Sequence, residues 1–204
     1  MMSLTAWFSV FLICLLGAAT PGPSLAIVMR NCVHRSRTHG LVASWCHALA
    51  IGLYALAAIL GLGLVIQKYP TVFQGIMYLG AAYLVWLASK ALRAGKSGFS
   101  LEKNGDPEPL TKAMVEGSTI VFLNPKIALF FTALFSQFIY PDMPWQVVAI
   151  LVATVTIVDG CWYTLVSLVL SHHGLLPWLQ RHGHWIDRIT GVVFLLVAVR
   201  VVLQ

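Results

Sequence analysis

The sequence predicts an all-α integral membrane protein of six transmembrane helices. Three observations carry that prediction: an apolar composition, long charge-free stretches, and two proline-broken spans at corresponding places. Of the 204 residues, 59% are hydrophobic and only 10% are charged, where soluble domains have roughly 45–50% apolar and about 25% charged residues. So few charges cannot cover a water-exposed surface. The seven acids and thirteen bases are also segregated, and stretches 1–29, 41–67 and 69–89 contain no Asp, Glu, Lys or Arg. Their lengths match membrane-spanning helices, which need about 20 apolar residues. A soluble enzyme, a disordered chain and a nucleic-acid-binding domain are thereby excluded, the last because the +6 net charge is not gathered into a solvated basic stripe.

The charge-poor stretches define spans 4–29, 41–67, 71–89, 117–139, 145–170 and 185–204. The sixth carries Asp187 and Arg188 in its first turn and Arg200 in its last, positions from which long side chains snorkel to the interface. A cleaved signal peptide over the first 20 residues is not expected, since that stretch lacks the basic start such peptides have. Arg30, Arg35 and Arg37 follow span 1, Lys90, Arg93, Lys96, Lys103 and Lys112 follow span 3, and Arg181 and Arg188 lie between spans 5 and 6. The opposite side has only Lys68 and Arg200. This asymmetry predicts that the basic loops are cytoplasmic and both termini outside.

Residues 95–109, rich in Gly, Pro, Ser, Asn and mixed charge, have loop composition. They divide the chain into a first three-helix repeat (1–94), a cytoplasmic linker (95–116) and a second three-helix repeat (117–204). Three spans per half make the halves enter the membrane in opposite directions, the inverted-repeat plan of many transporters. The first span of each half is interrupted, by Pro21-Gly22-Pro23 and by Asn124-Pro125-Lys126. Both breaks fall roughly a third of the way in from the cytoplasmic side, a depth that strict inversion would mirror but that lets the breaks face each other.

Proline removes an intrahelical hydrogen bond and clashes with the preceding turn. In lipid, the freed backbone groups need protein, water or a solute as partners. A packing kink is the plainer reading of one proline motif; two at matching places favour a binding site, where helix ends present amides to a carboxylate and carbonyls to an ammonium. Lys126 is the only base and Asp159 the only acid well inside a span. Such charges are paired or functional. Either they form a static pair, with spans 4 and 5 adjacent, or Lys126 attracts a substrate carboxylate while Asp159 binds an ammonium or carries a coupling proton.

His47, alone on span 2, is either a packed interior residue or a proton relay. His172, His173, His182 and His184 crowd the last cytoplasmic loop, without a nearby cysteine to complete a closed metal set. Cys14, Cys32, Cys46 and Cys161 show no C-x-x-C spacing and read as free thiols. Small residues at Ser44, Ala48 and Gly52, then Ala57 and Gly61, form ridges for close helix packing, and Trp7, Trp86, Trp145, Trp178 and Trp185 fall near span ends.

Thr20-Pro21-Gly22-Pro23, the run Tyr78-Leu79-Gly80-Ala81-Ala82-Tyr83-Leu84 with Lys90-Ala91-Leu92-Arg93, and Asn124-Pro125-Lys126 with Leu129-Phe130-Phe131 and Gln137-Phe138 together resemble the LysE/RhtB family of amino-acid exporters. The resemblance runs through nearly the whole chain. It implies a multi-pass bacterial inner-membrane transporter, not an enzyme and without a cofactor, that expels amino acids or related zwitterions using the proton-motive force. It carries the broken-helix motifs over to Pro21, Gly22, Pro23, Asn124, Pro125 and Lys126. Family members often have glycines where this chain has Cys46 and Ala50, and Asn where it has Ser24; these departures bear on the substrate rather than the fold.

The expected binding residues are Pro21, Gly22, Pro23, Ser24, Asn124, Pro125 and Lys126, with Asp159 for proton coupling and no metal site. The expected partners are an amino acid, protons and membrane lipid, with no nucleic acid; a homodimer is compatible with six spans. A cation or metal exporter using the loop histidines and a non-transporting membrane scaffold are the competing readings.

Overall fold

The computed structural model describes residues 2–20, 22–93, 108–170, 185, 188–196, 198 and 199. Among these residues all regular structure is helical, with no strand. Helix α1 (Leu4–Ala19) starts where the Ser3 hydroxyl accepts the Ala6 amide at 3.2 Å, an N-cap that satisfies one of the leading donors. It stops because Thr20 precedes a proline and is extended (φ −64°, ψ 124°), the conformation that proline imposes on its predecessor. The chain resumes as α2 (Pro23–Arg30), with Pro23 in the first turn, where its missing N–H removes no intrahelical bond.

A π-helical turn, Asn31–Arg35, continues α2 and closes when the Ser36 amide donates to the Asn31 carbonyl at 3.2 Å. The Ser36 hydroxyl then caps α3 (Arg37–Lys68) through the His39 amide. At 32 residues, α3 is about 48 Å long. It ends at Tyr69, again the residue before a proline, and α4 (Pro70–Arg93) follows.

Helix α5 (Leu110–Leu123) begins two turns before the predicted span and stops at Asn124, which is extended (φ −92°, ψ 104°) before Pro125. Helix α6 (Pro125–Phe135) then leads through a short loop to α7 (Trp145–Leu170). The two interruptions bend the chain alike, by 61° between α1 and α2 and by 60° between α5 and α6.

Among the described residues, three helices, α3, α4 and α7, are long and apolar enough to cross a membrane alone, and counting each bent pair as one span gives up to five. The sixth predicted span is helical at residues 185, 188–196, 198 and 199, and its remainder lies outside the described residues, as do His172, His173, His182, His184 and Trp178. Leu49, Leu53, Leu60 and Leu64 of α3 are exposed. In an uncharged stretch this is the surface expected against lipid, where polar groups are costly.

Helix α3 is the centre of the bundle, packed most extensively against α7 and α5. Close approach explains two glycines: a Cβ on Gly52 would overlap the Thr156 hydroxyl of α7, and one on Gly117 would overlap the Ala43 carbonyl oxygen of α3. Ser44 and Ala48 share this buried ridge. Ala57 and Gly61 do not: both are exposed, and nothing lies within 4 Å of a Cβ at Gly61. Helix α7 packs against α3 and α1 rather than chiefly against α6, so the expected adjacency of spans 4 and 5 gives way to an α3–α7 pairing. The Trp7 indole is likewise turned inward and donates to Thr154 of α7 at 3.0 Å.

The Arg-rich end is tied by charge. Glu116 of α5 accepts from Arg30 at 2.6 Å, from Asn31 at 2.9 Å and from Arg35 at 2.9 Å. Arg35 also pairs with Glu108, which in turn pairs with Lys112. Lys112 first, and Arg35 after it, hold the Glu108 carboxyl below the usual carboxylate range. The His39 ring completes the link at the Glu108 carbonyl, 2.8 Å away. The end of the α2 segment and the start of α5 are therefore joined.

Candidate functional site

The two breaks meet. Gly22, extended at φ −177°, has no side chain with which to cap α2, so the leading amides of that helix lack the partner that Ser or Asp would provide. The second break is built differently. Asn124 Oδ1 accepts the Lys126 amide at 3.0 Å, so α6 is capped by its own sequence. Lys126 reaches toward the uncapped end: a Cβ on Gly22 would lie 3.6 Å from its Nζ. An ammonium and the positive end of a helix dipole thus share one place, an arrangement that favours an anion.

A cavity of about 60 Å³ opens between these elements. Gly22, Pro23, Ser24, Asn124, Lys126 and Asp159 all line it. Pro21, also expected there, lies outside the described residues. Pro125 opens α6, placing it at the same break. Gly17 lets the wall close, because a Cβ there would lie 2.8 Å from the Phe130 ring. Phe130 and Phe131, in edge contact at 5.3 Å, form an apolar side.

Asp159 is buried at 7% exposure, and its carboxylate is partnered by His47 rather than by Lys126. His47 Nδ1 lies 2.7 Å from Asp159 Oδ2, across the α3–α7 contact. A static pair with Lys126 is one of two readings the sequence leaves open; the partner the carboxylate has is His47, which sequence distance conceals. Tyr163 packs edge-on against His47 with ring centroids 5.1 Å apart, and Ser24 of α2 lines the same cavity. Cys14 and Thr20 also line the cavity. None of Cys14, Cys32, Cys46 and Cys161 forms a disulfide.

This geometry defines a class: a multi-pass helical membrane protein in which two interrupted helices bound a largely apolar cavity that a few polar and charged side chains reach. The chain belongs to the LysE type translocator family, whose match covers residues 15–204. It is 25% identical over 200 residues to a threonine efflux protein of Salmonella typhi, covering 94% of each chain. It is 24% identical over 198 residues to the threonine efflux protein of Escherichia coli strain K12, again covering 94% of each. It is also 29% identical over 185 residues to the uncharacterized membrane protein YrhP of Bacillus subtilis, covering 85% of this chain and 87% of that one. No solved structure matches the chain.

Proposed function

We propose that the protein is a secondary exporter that moves amino acids, or closely related small zwitterions, out of the cytoplasm in exchange for protons. It does so in the bacterial inner membrane as two inverted three-helix repeats, with both termini outside. The carrying observation is that both helix breaks, Lys126 and the buried His47–Asp159 pair line one cavity. A zwitterion matches this polarity at both ends. Its carboxylate goes to Lys126 and the open start of α2; its ammonium goes to Asp159 and to the terminal carbonyls of α1, which helix geometry leaves without intrahelical partners. The names of the Salmonella and Escherichia relatives make threonine the first substrate to try.

Overexpression should lower the internal pool of at least one amino acid. Replacing Pro21 and Pro23 together by Ala should abolish that effect while the protein stays in the membrane, because a continuous helix withdraws the backbone groups offered to the substrate. Undiminished depletion by the double variant would reject the broken-helix site.

A further inference from the structure

One nitrogen of His47 is held and the other is not. Nδ1 faces Asp159 at 2.7 Å, whereas Nε2 is buried with no hydrogen-bond partner, in a residue 1% exposed that lines the cavity. Against an ionised Asp159, Nδ1 must carry the ring proton and donate it. Nε2 of the neutral ring is then a lone pair. A buried acceptor without a donor is unfavourable, and two donors that reach this cavity in an exporter fill the need: a proton, or an N–H of a substrate ammonium.

We infer that His47 and Asp159 form a single acceptor that the coupling proton and the ammonium group of the exported amino acid occupy in turn, never together. The inference rests on the export reading above and adds the residue and the rule by which coupling occurs. Proton uptake makes one N–H bond at Nε2 and breaks none in the protein. The ring becomes an imidazolium, so a second cation beside it meets like charge and a donor where the acceptor was. Conversely, an ammonium bound at Nε2 and Asp159 blocks the lone pair.

Other titratable or charged groups facing this pair are Cys14 from α1, Lys126 from α6 and Tyr163 from α7, while α2 contributes Ser24 and α3 only Ile51 besides His47. Lys126, over Gly22, is the fixed positive charge, so it orients the carboxylate away from the acceptor. Each ligand lowers the affinity for the other by the same factor, as linkage requires.

The test uses the purified full-length protein in liposomes without a proton gradient. Counterflow is measured for each of the twenty common L-amino acids in radiolabelled form, and KM for the best of them is followed from about pH 5.5 to about pH 8, where histidine titrates. The α-carboxylate and α-ammonium of a free amino acid stay charged across this range, and histidine, whose side chain titrates within it, is left out of the KM profile, so the substrate itself contributes no slope. For the wild type, KM should fall as pH rises, by up to about tenfold per unit, the limit for one competing proton. His47→Gln and Asp159→Asn should flatten the profile. A pH-independent wild-type KM, or a His47→Gln profile parallel to wild type, overturns the inference and leaves export standing. Counterflow of none of the twenty overturns the export reading and the inference with it. The wild-type profile decides even where a variant fails to fold.

Discussion

At the residue scale, the charge inside the bundle is managed by a contact between residues 112 positions apart. Lys126 and Asp159, both of which line the cavity, were legible as interior positions because a charge within an apolar run is conspicuous. Which partner Asp159 takes was not legible, because pairing depends on which helices touch, and no local pattern encodes the α3–α7 contact. His47 drew little weight from sequence for the same reason. The pair carries a stability consequence. Removing one member leaves the other buried and unpaired, so His47→Ala should destabilise the protein by roughly 3–5 kcal/mol. Adding Asp159→Asn to it should recover most of that loss, as thermal unfolding in detergent would register. A double variant no more stable than His47→Ala would show that the two side chains are not coupled.

At the element scale, the breaks were readable and their asymmetry was not. Proline acts on its immediate neighbour, so Thr20-Pro21 and Asn124-Pro125 announce interruptions from sequence alone, and bends of 61° and 60° follow. That Asn124 caps α6 while Gly22 leaves α2 open depends on side-chain geometry at each turn. The network of Glu116 with Arg30, Asn31 and Arg35 was missed because Glu116 lies just ahead of the apolar stretch, where loop and helix read alike. Helix packing gives a paired prediction. Gly117→Ala would press a methyl group into the Ala43 carbonyl and should destabilise by about 1–3 kcal/mol, as overpacking does. Gly61→Ala, with nothing within 4 Å, should be neutral or slightly stabilising, since alanine favours the helix. Equal melting temperatures for the two variants would contradict the α3–α5 contact.

At the scale of the whole molecule, membrane class was legible because so apolar a chain has no other solvent, and the exposed leucines of α3 show the surface this creates. The cavity was not legible, because it requires α1, α2, α3, α6 and α7 to converge, a property of packing rather than of any span. The proposed orientation rests on the basic residues. A cysteine introduced at Ser97 should resist external impermeant thiol reagents in intact cells while one at Met2 reacts, and external labelling at Ser97 would reverse the topology.

The central claim is that the two breaks bound a water-filled site for the exported amino acid. Ala18, beside the first break, lines the cavity. In a background with the four native cysteines replaced, Ala18→Cys should react with a small water-soluble thiosulfonate, whereas lipid-facing Gly61→Cys should not. The amino acid whose internal pool falls most on overexpression should slow the Ala18→Cys reaction, and an unrelated sugar should leave it unchanged. Failure of Ala18→Cys to react, or reaction at a rate that amino acid does not alter, would contradict the account.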